Sequence, residues 1–143
     1  MADVEANKAV ARKVAEYLGR GEIHSILDLF DDEGYFFVIG DTCVSGVHTI
    51  AGIREYGAEL AGNVAFPDGL NTQIHSVIGE GNLVAIEIEA DGIHRSGKRY
   101  PMKYIFHMTF NDAGKIMVVK EYLDTQLQTD VLCDGKRPDR SAS

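Results

Sequence analysis

Tyr100-Pro-Met-Lys-Tyr-Ile-Phe-His-Met-Thr-Phe110 and Lys115-Ile-Met-Val-Val-Lys-Glu-Tyr-Leu-Asp124, joined by Asn111-Asp-Ala-Gly114, form the stretch that decides the fold. Successive side chains of an extended chain point to opposite faces. Met102, Tyr104, Phe106, Met108 and Phe110 therefore share one face, and a face so apolar needs a cover. The same count puts Met117, Val119, Glu121 and Leu123 in phase, so a single carboxylate interrupts an apolar row. A carboxylate there is costly unless it is paired, protonated or put to use. The pattern points to a small-molecule pocket that holds one acid/base group.

The period of two extends back to Asn71, and four strands are expected at about 71–79, 82–91, 98–110 and 115–125. Gly79-Glu-Gly-Asn82, Asp91-Gly92 and Asn111-Asp-Ala-Gly114 supply turns short enough for antiparallel pairing. Upstream the period is helical. Val10, Val14, Tyr17 and Leu18 mark a first helix from about residue 4, ended by Gly19-Arg-Gly21. Ile23, Ile26, Leu27 and Phe30 mark a second, closed by Asp31-Asp-Glu-Gly34. Tyr35-Phe-Phe-Val-Ile39 reads as a strand, and a loop through Gly40, Asp41 and Gly46 follows. Ile50, Ile53, Tyr56 and Leu60 predict a third helix, stopping near Gly62-Asn63. The expected class is α+β, with three N-terminal helices covering a strongly curved, mostly antiparallel sheet that forms a cone-shaped pocket. Residues 1–130 form the domain, and the polar residues 131–143 read as a flexible tail.

Bulk properties narrow the function classes. The 143 residues are enough for one domain with a real core. A net charge of -8 with scattered Lys and Arg argues against nucleic-acid binding. No apolar run approaches the roughly 20 residues that span a bilayer, and the acidic Met1-Ala-Asp-Val-Glu-Ala lacks the features of a secretion signal, so no membrane partner and a cytoplasmic location are expected. Cys43 and Cys133 are the only cysteines and have no metal-ligand spacing; they read as two free thiols in a reducing compartment. No metal and no cofactor are expected.

The order of elements, together with Leu18-Gly-Arg-Gly-Glu-Ile-His-Ser-Ile-Leu-Asp-Leu-Phe-Asp-Asp32, Ser45-Gly46 ahead of Ile50-Ala-Gly-Ile-Arg-Glu-Tyr56, Phe110-Asn-Asp-Ala-Gly-Lys-Ile116 and Glu121-Tyr-Leu-Asp124, resembles the SnoaL-like and ketosteroid-isomerase-like superfamily. That resemblance implies the cone fold of nuclear transport factor two. It implies less about chemistry, since relatives include isomerases, cyclases, dehydratases, epoxide hydrolases and non-catalytic proteins. The steroid isomerases' tyrosine, base aspartate and oxyanion-hole aspartic acid fall on Val14, Val38 and Phe106, none of which can move a proton. The arginine and aspartate of limonene epoxide hydrolase fall near Ile88 and Ala90, and its third carboxylate falls on Glu121. The acid/base glutamate of the phenazine-biosynthesis A/B proteins also matches Glu121.

Glu121 is thus the first catalytic candidate; its alternative is a rim carboxylate, solvated or neutralised by Arg54 or Lys98. Tyr104 is the second, with its hydroxyl aimed at a substrate oxygen rather than simply packed. His75 is the third, as a partner of Glu121 if its strand turns it inward, in phase with Gln73 and Val77. Tyr17 and Val14 on the first helix, Val38, Ile86, Ile88, Met102, Phe106, Val119 and Leu123 are the expected ligand-binding lining. His48 lies near the mouth, His107 faces away, and His24 and His94 read as surface residues. Ile105, His107, Thr109, Val118, Lys120 and Tyr122 make a mixed outer sheet face suited to a homodimer.

The expected function is a cofactor-independent acid/base isomerase, cyclase or dehydratase acting on a small apolar cyclic or polyketide-like compound. One alternative is a binding module in which Glu121 anchors a ligand. Another is a dimeric interaction domain with its cone plugged by aromatics, which a cavity below about 300 Å³ favours.

Overall fold

The structure is a computed structural model and describes residues 3–57 and 64–138. Helix α1 spans Val4–Arg20. The Asp3 side chain caps it by accepting from the Ala6 N–H at 3.0 Å, and Glu5 lies in the first turn, where the helix dipole favours a negative charge. Gly21 ends it at φ 70°, a left-handed conformation that returns its N–H to the last-turn carbonyls. Asn7, Ala11, Val14 and Ala15 recur at helical spacing and form the buried face. The small alanines let the sheet approach closely enough for the Thr72 hydroxyl to donate to the Ala15 carbonyl at 3.2 Å. Replacing Asp3 with Ala is expected to cost about 1 kcal/mol, read as a lower urea midpoint at unchanged slope.

The short helix α2 (Ile23–Leu27) leads into β1 (Phe30–Val38). Asp31-Asp-Glu-Gly34, expected to close a helix, instead lies inside β1 as an irregularity between Phe30 and Tyr35, where the Asp31 carboxylate accepts from the Glu33 N–H. Strand β2 (Gly46–Thr49) falls where a loop was expected. Helix α3 (Ile50–Gly52) passes into a π-turn at Ile53–Gly57. The predicted end of that helix, with Leu60 and Gly62-Asn63, lies outside the described residues.

Strands β3 (Asn71–Glu80), β4 (Leu83–Asp91), β5 (Met102–Phe110) and β6 (Ile116–Leu123) form the expected antiparallel meander. The six strands make one sheet in the order β2-β1-β6-β5-β4-β3, with β1 parallel to β6. The chain then adds a helix that the sequence reading did not predict, α4 (Thr125–Leu132), capped by the Asp124 side chain accepting from Leu127 N–H. Helices therefore number four among the described residues, and α1 dominates the cover of the sheet by packing on β3 and β4.

The even-numbered residues Met102 to Phe110 are all buried, and so are Val84, Ile86, Ile88 and Ala90 beside them on β4. Each such apolar side chain contributes roughly 1.5–3 kcal/mol. Two bulges set the remaining phases. One at Met117 lets both Ile116 and Val119 point inward. The other falls at His75, between Ile74 and Ser76.

The expectation of free thiols is overturned. Cys43 and Cys133 form a disulfide with Cα atoms 5.7 Å apart across 90 residues of sequence. Cys133 is thereby held at the end of α4, although it lies in the segment 131–143 that reads as a flexible tail. The free-thiol argument for a reducing compartment falls with it. Among the described residues, no helix is long and apolar enough to cross a membrane.

Candidate active site

A cavity of about 210 Å³ lies between the helices and the concave face of the sheet. Helix α1 contributes Val14 and Leu18, and α2 contributes Ile23, Ile26 and Leu27. The sheet contributes Phe36 and Val38 from β1, Tyr104 and Phe106 from β5 and Glu121 from β6. Val44 and His48 approach from the β1–β2 connection and β2, and Gln128 and Leu132 from α4.

Register explains the isolation of Glu121. It is paired across the antiparallel ladder with Phe106 and across the parallel ladder with Val38. Its carboxyl is therefore walled by apolar side chains on both neighbouring strands, at the two positions where the steroid isomerases would carry acids. Arg54 is engaged with Asp28 at 3.2 Å, and Lys98 donates to the Asp130 carbonyl at 2.9 Å, so neither neutralises it. No hydrogen-bond donor to its carboxylate is found among the described residues. Desolvation raises its pKa from 4.5 to about 7.

The folded state holds the Glu121 proton more tightly than the unfolded chain, so the carboxyl carries no penalty below pH 4.5. Destabilisation grows as pH rises toward 7 and is complete above it. At 1.36 kcal/mol per unit the penalty is roughly 3 to 4 kcal/mol at most, less where cavity water screens the half-buried group. Glu121→Gln is therefore expected to raise the melting temperature at pH 8 and leave it nearly unchanged at pH 4, measured by calorimetry at both values.

A tyrosine pair faces the same space. The Tyr100 and Tyr104 hydroxyls lie beside each other, and Gln128 also approaches that of Tyr100. Gln128 in turn accepts from the Thr42 hydroxyl at 2.8 Å. Burial pushes the Tyr100 pKa up to about 12 and that of Tyr104 well above its ordinary value, and the nearby Glu121 charge adds to both. Both hydroxyls therefore keep their protons at neutral pH, and the one not turned toward its neighbour can donate a hydrogen bond to a substrate oxygen.

Of the sequence candidates, the fold brings Glu121, Tyr104, Val14, Val38 and Phe106 together at the cavity. His75 is corrected. The bulge at this residue leaves it outward with Gln73 while Val77 turns in, and its ring sits 3.0 Å from Glu89 on the outer face. Ile86, Ile88, Met102 and Val119 are also corrected, from lining to core, because they are fully buried in packing rather than exposed to the cavity. Tyr17 and Leu123 pack on the edge of the same core, outside the cavity wall. Tyr100 and Gln128 were missed. Tyr100 was findable, since it continues the period of two backward from Met102; Gln128 sits on α4, whose sequence carries only a weak apolar pattern. Among the described residues, no group of three His, Cys, Asp or Glu is placed to hold a metal ion.

A family model described as a SnoaL-like domain matches residues 11–119. Among solved structures, PrhC from Penicillium brasilianum is similar at 14% identity, with a TM-score of 0.75 over 89% of this chain and 85% of that one. TerC, co-crystallised with polyporic acid, is similar at 17% identity and TM-score 0.71 over 89% and 98%. An NTF2-like protein from Burkholderia xenovorans shares 16% identity with TM-score 0.68 over 91% and 98%. These likenesses show the cone fold. No curated protein matches the sequence.

Proposed function

The chain belongs to the SnoaL-like domain family, and from that premise we propose that it is a cofactor-independent acid/base enzyme that isomerises, cyclises or dehydrates a small apolar ring compound. The observation that carries this reading is an unpaired carboxyl with a pKa of about 7 in a cavity lined mainly by apolar side chains, facing two protonated tyrosines. Near neutrality both forms of Glu121 are populated, which suits a group that must take a proton and return it. As carboxylate it removes a proton from the carbon next to a carbonyl, while Tyr104 or Tyr100 donates a hydrogen bond to the oxygen on which charge builds. As acid it returns that proton to a second carbon in an isomerisation, or to a departing hydroxyl, which leaves as water in a dehydration. The co-crystallisation of TerC with polyporic acid supports small-molecule occupancy as a use of this fold.

The volume narrows the substrate. About 210 Å³ suits a compound of one or two rings. The same volume, below the 300 Å³ of common ligand sites, favours a second reading in which the cone is plugged by its own aromatics and the chain is an interaction domain that dimerises through its outer face. One experiment separates the two: incubation of one-ring ketones and enones with the protein in D2O, followed by proton NMR. Loss of the α-proton signal with wild type but not with Glu121→Gln supports the enzyme. No exchange across the panel, with no ligand-induced shift of cavity resonances, supports the plugged domain.

A further inference from the structure

We infer that the Cys43–Cys133 disulfide is a redox latch on the cavity mouth, opened by a small dithiol or dithiol protein that releases the β1–β2 connection from α4. The inference goes beyond the proposed catalysis and concerns access to the same cavity. Both segments joined by the disulfide line that cavity, through Val44 and His48 on one side and Gln128 and Leu132 on the other. The same joint carries the Thr42–Gln128 hydrogen bond, and Gln128 lies beside the Tyr100 hydroxyl. The cross-link is thus one residue from the polar chain that positions the tyrosine pair.

The two sulfurs are not equivalent. Cys43 is exposed, whereas Cys133 is only 9% exposed, so an attacking thiolate reaches Cys43. Attack forms a mixed disulfide at Cys43 and expels Cys133 as a thiolate, which the Cys43 backbone N–H meets at 3.2 Å. The second thiol of the reductant then displaces Cys43. The protein gains two electrons and two protons, and the dithiol becomes a disulfide. With the covalent tie gone, only hydrogen bonds, from Thr42 to Gln128 and from the Cys43 N–H to Cys133, hold the joint, and more water reaches the cavity and Glu121.

The test uses the full chain, purified without reductant, before and after dithiothreitol, with Cys43→Ser/Cys133→Ser as the permanently open form. Free thiols are counted, the Glu121 titration is followed by carboxyl NMR, and backbone mobility is followed by ¹⁵N relaxation. We expect no free thiol before reduction and two after it. Mobility should rise in residues 40–48 and 125–133, and the Glu121 pKa should fall by a unit or more as water enters. Two free thiols in the untreated protein overturn the latch. So does complete reduction that leaves the mobility of both segments unchanged, as a simple stabilising staple would. A Glu121 pKa near 4.5 in the oxidised protein, with mobility still confined to the two segments on reduction, overturns the catalytic proposal and leaves the latch standing.

Discussion

Glu121→Gln is expected to lower turnover of a cavity-sized ketone by 10² to 10⁴-fold while KM changes little. Glutamine keeps the shape and the packing against Phe106 and Val38, so binding built on apolar contact persists. What is lost is the proton acceptor. Within the described residues no second carboxylate lines the cavity to replace it, the tyrosines that do are held protonated by burial, and the His48 ring is tied to the Val44 carbonyl at 2.6 Å. The pH profile gives a second check. Where proton removal limits the rate, wild-type kcat should rise through the pKa of Glu121, at about 7, and level off above it. The residual rate of the variant should be flat over the same range. A variant that keeps the inflection and most of the rate would assign the proton transfer to another group. The expected gain in stability of this variant at pH 8 gives the outcome its physical sense, because a carboxyl kept ionised in an apolar cavity is retained at a cost to the fold.

The second large effect concerns the disulfide. Cys43→Ser/Cys133→Ser is expected to lose about 4 kcal/mol of stability, because the bond closes a loop of 90 residues and removes that much chain entropy from the unfolded state. For a domain of this size the melting temperature should fall by roughly 10 to 15 °C. Wild type measured in reductant should fall by the same amount, and the variant should not respond to reductant. Equal melting temperatures for oxidised wild type and variant would mean that the cross-link does not constrain the unfolded chain. This measurement reads the unfolded state and the latch experiment reads the folded one, so either can succeed alone.

The meander was legible because its signal is local. Each strand from β3 to β6 repeats every two residues and is bounded by glycine turns, and the strong row from Met102 to Phe110 needed no tertiary information to be placed inside. Helix α1 was equally legible from its apolar stripe and the glycines at its end. Helix α4 was not, since Thr125 to Leu132 carries few apolar residues and owes its place to an Asp124 cap and a disulfide. Strand β2 is four residues long, too short for any period to register.

The site divides along the same line. Phase put Tyr104 and Phe106 in one row and Glu121 in step with Val119, but it left the facing of Glu121 open, because a bulge at Met117 precedes it in β6. The inward option for His75 failed because one extra residue in β3 sends its neighbours to opposite faces, which alternation cannot reveal. Met117 left the pocket row for the same reason in β6.

The sequence by itself determined the α+β class, the antiparallel meander and a carboxylate set in an apolar row, since each rests on the chemistry of residues close together in the chain. Tertiary structure alone decided the parallel pairing of β1 with β6, the joining of Cys43 to Cys133, and the meeting of Tyr100 with Gln128 beside Glu121. Those contacts bring together residues far apart in sequence, and their geometry exists only once bulges, strand order and helix docking have set the path of the backbone.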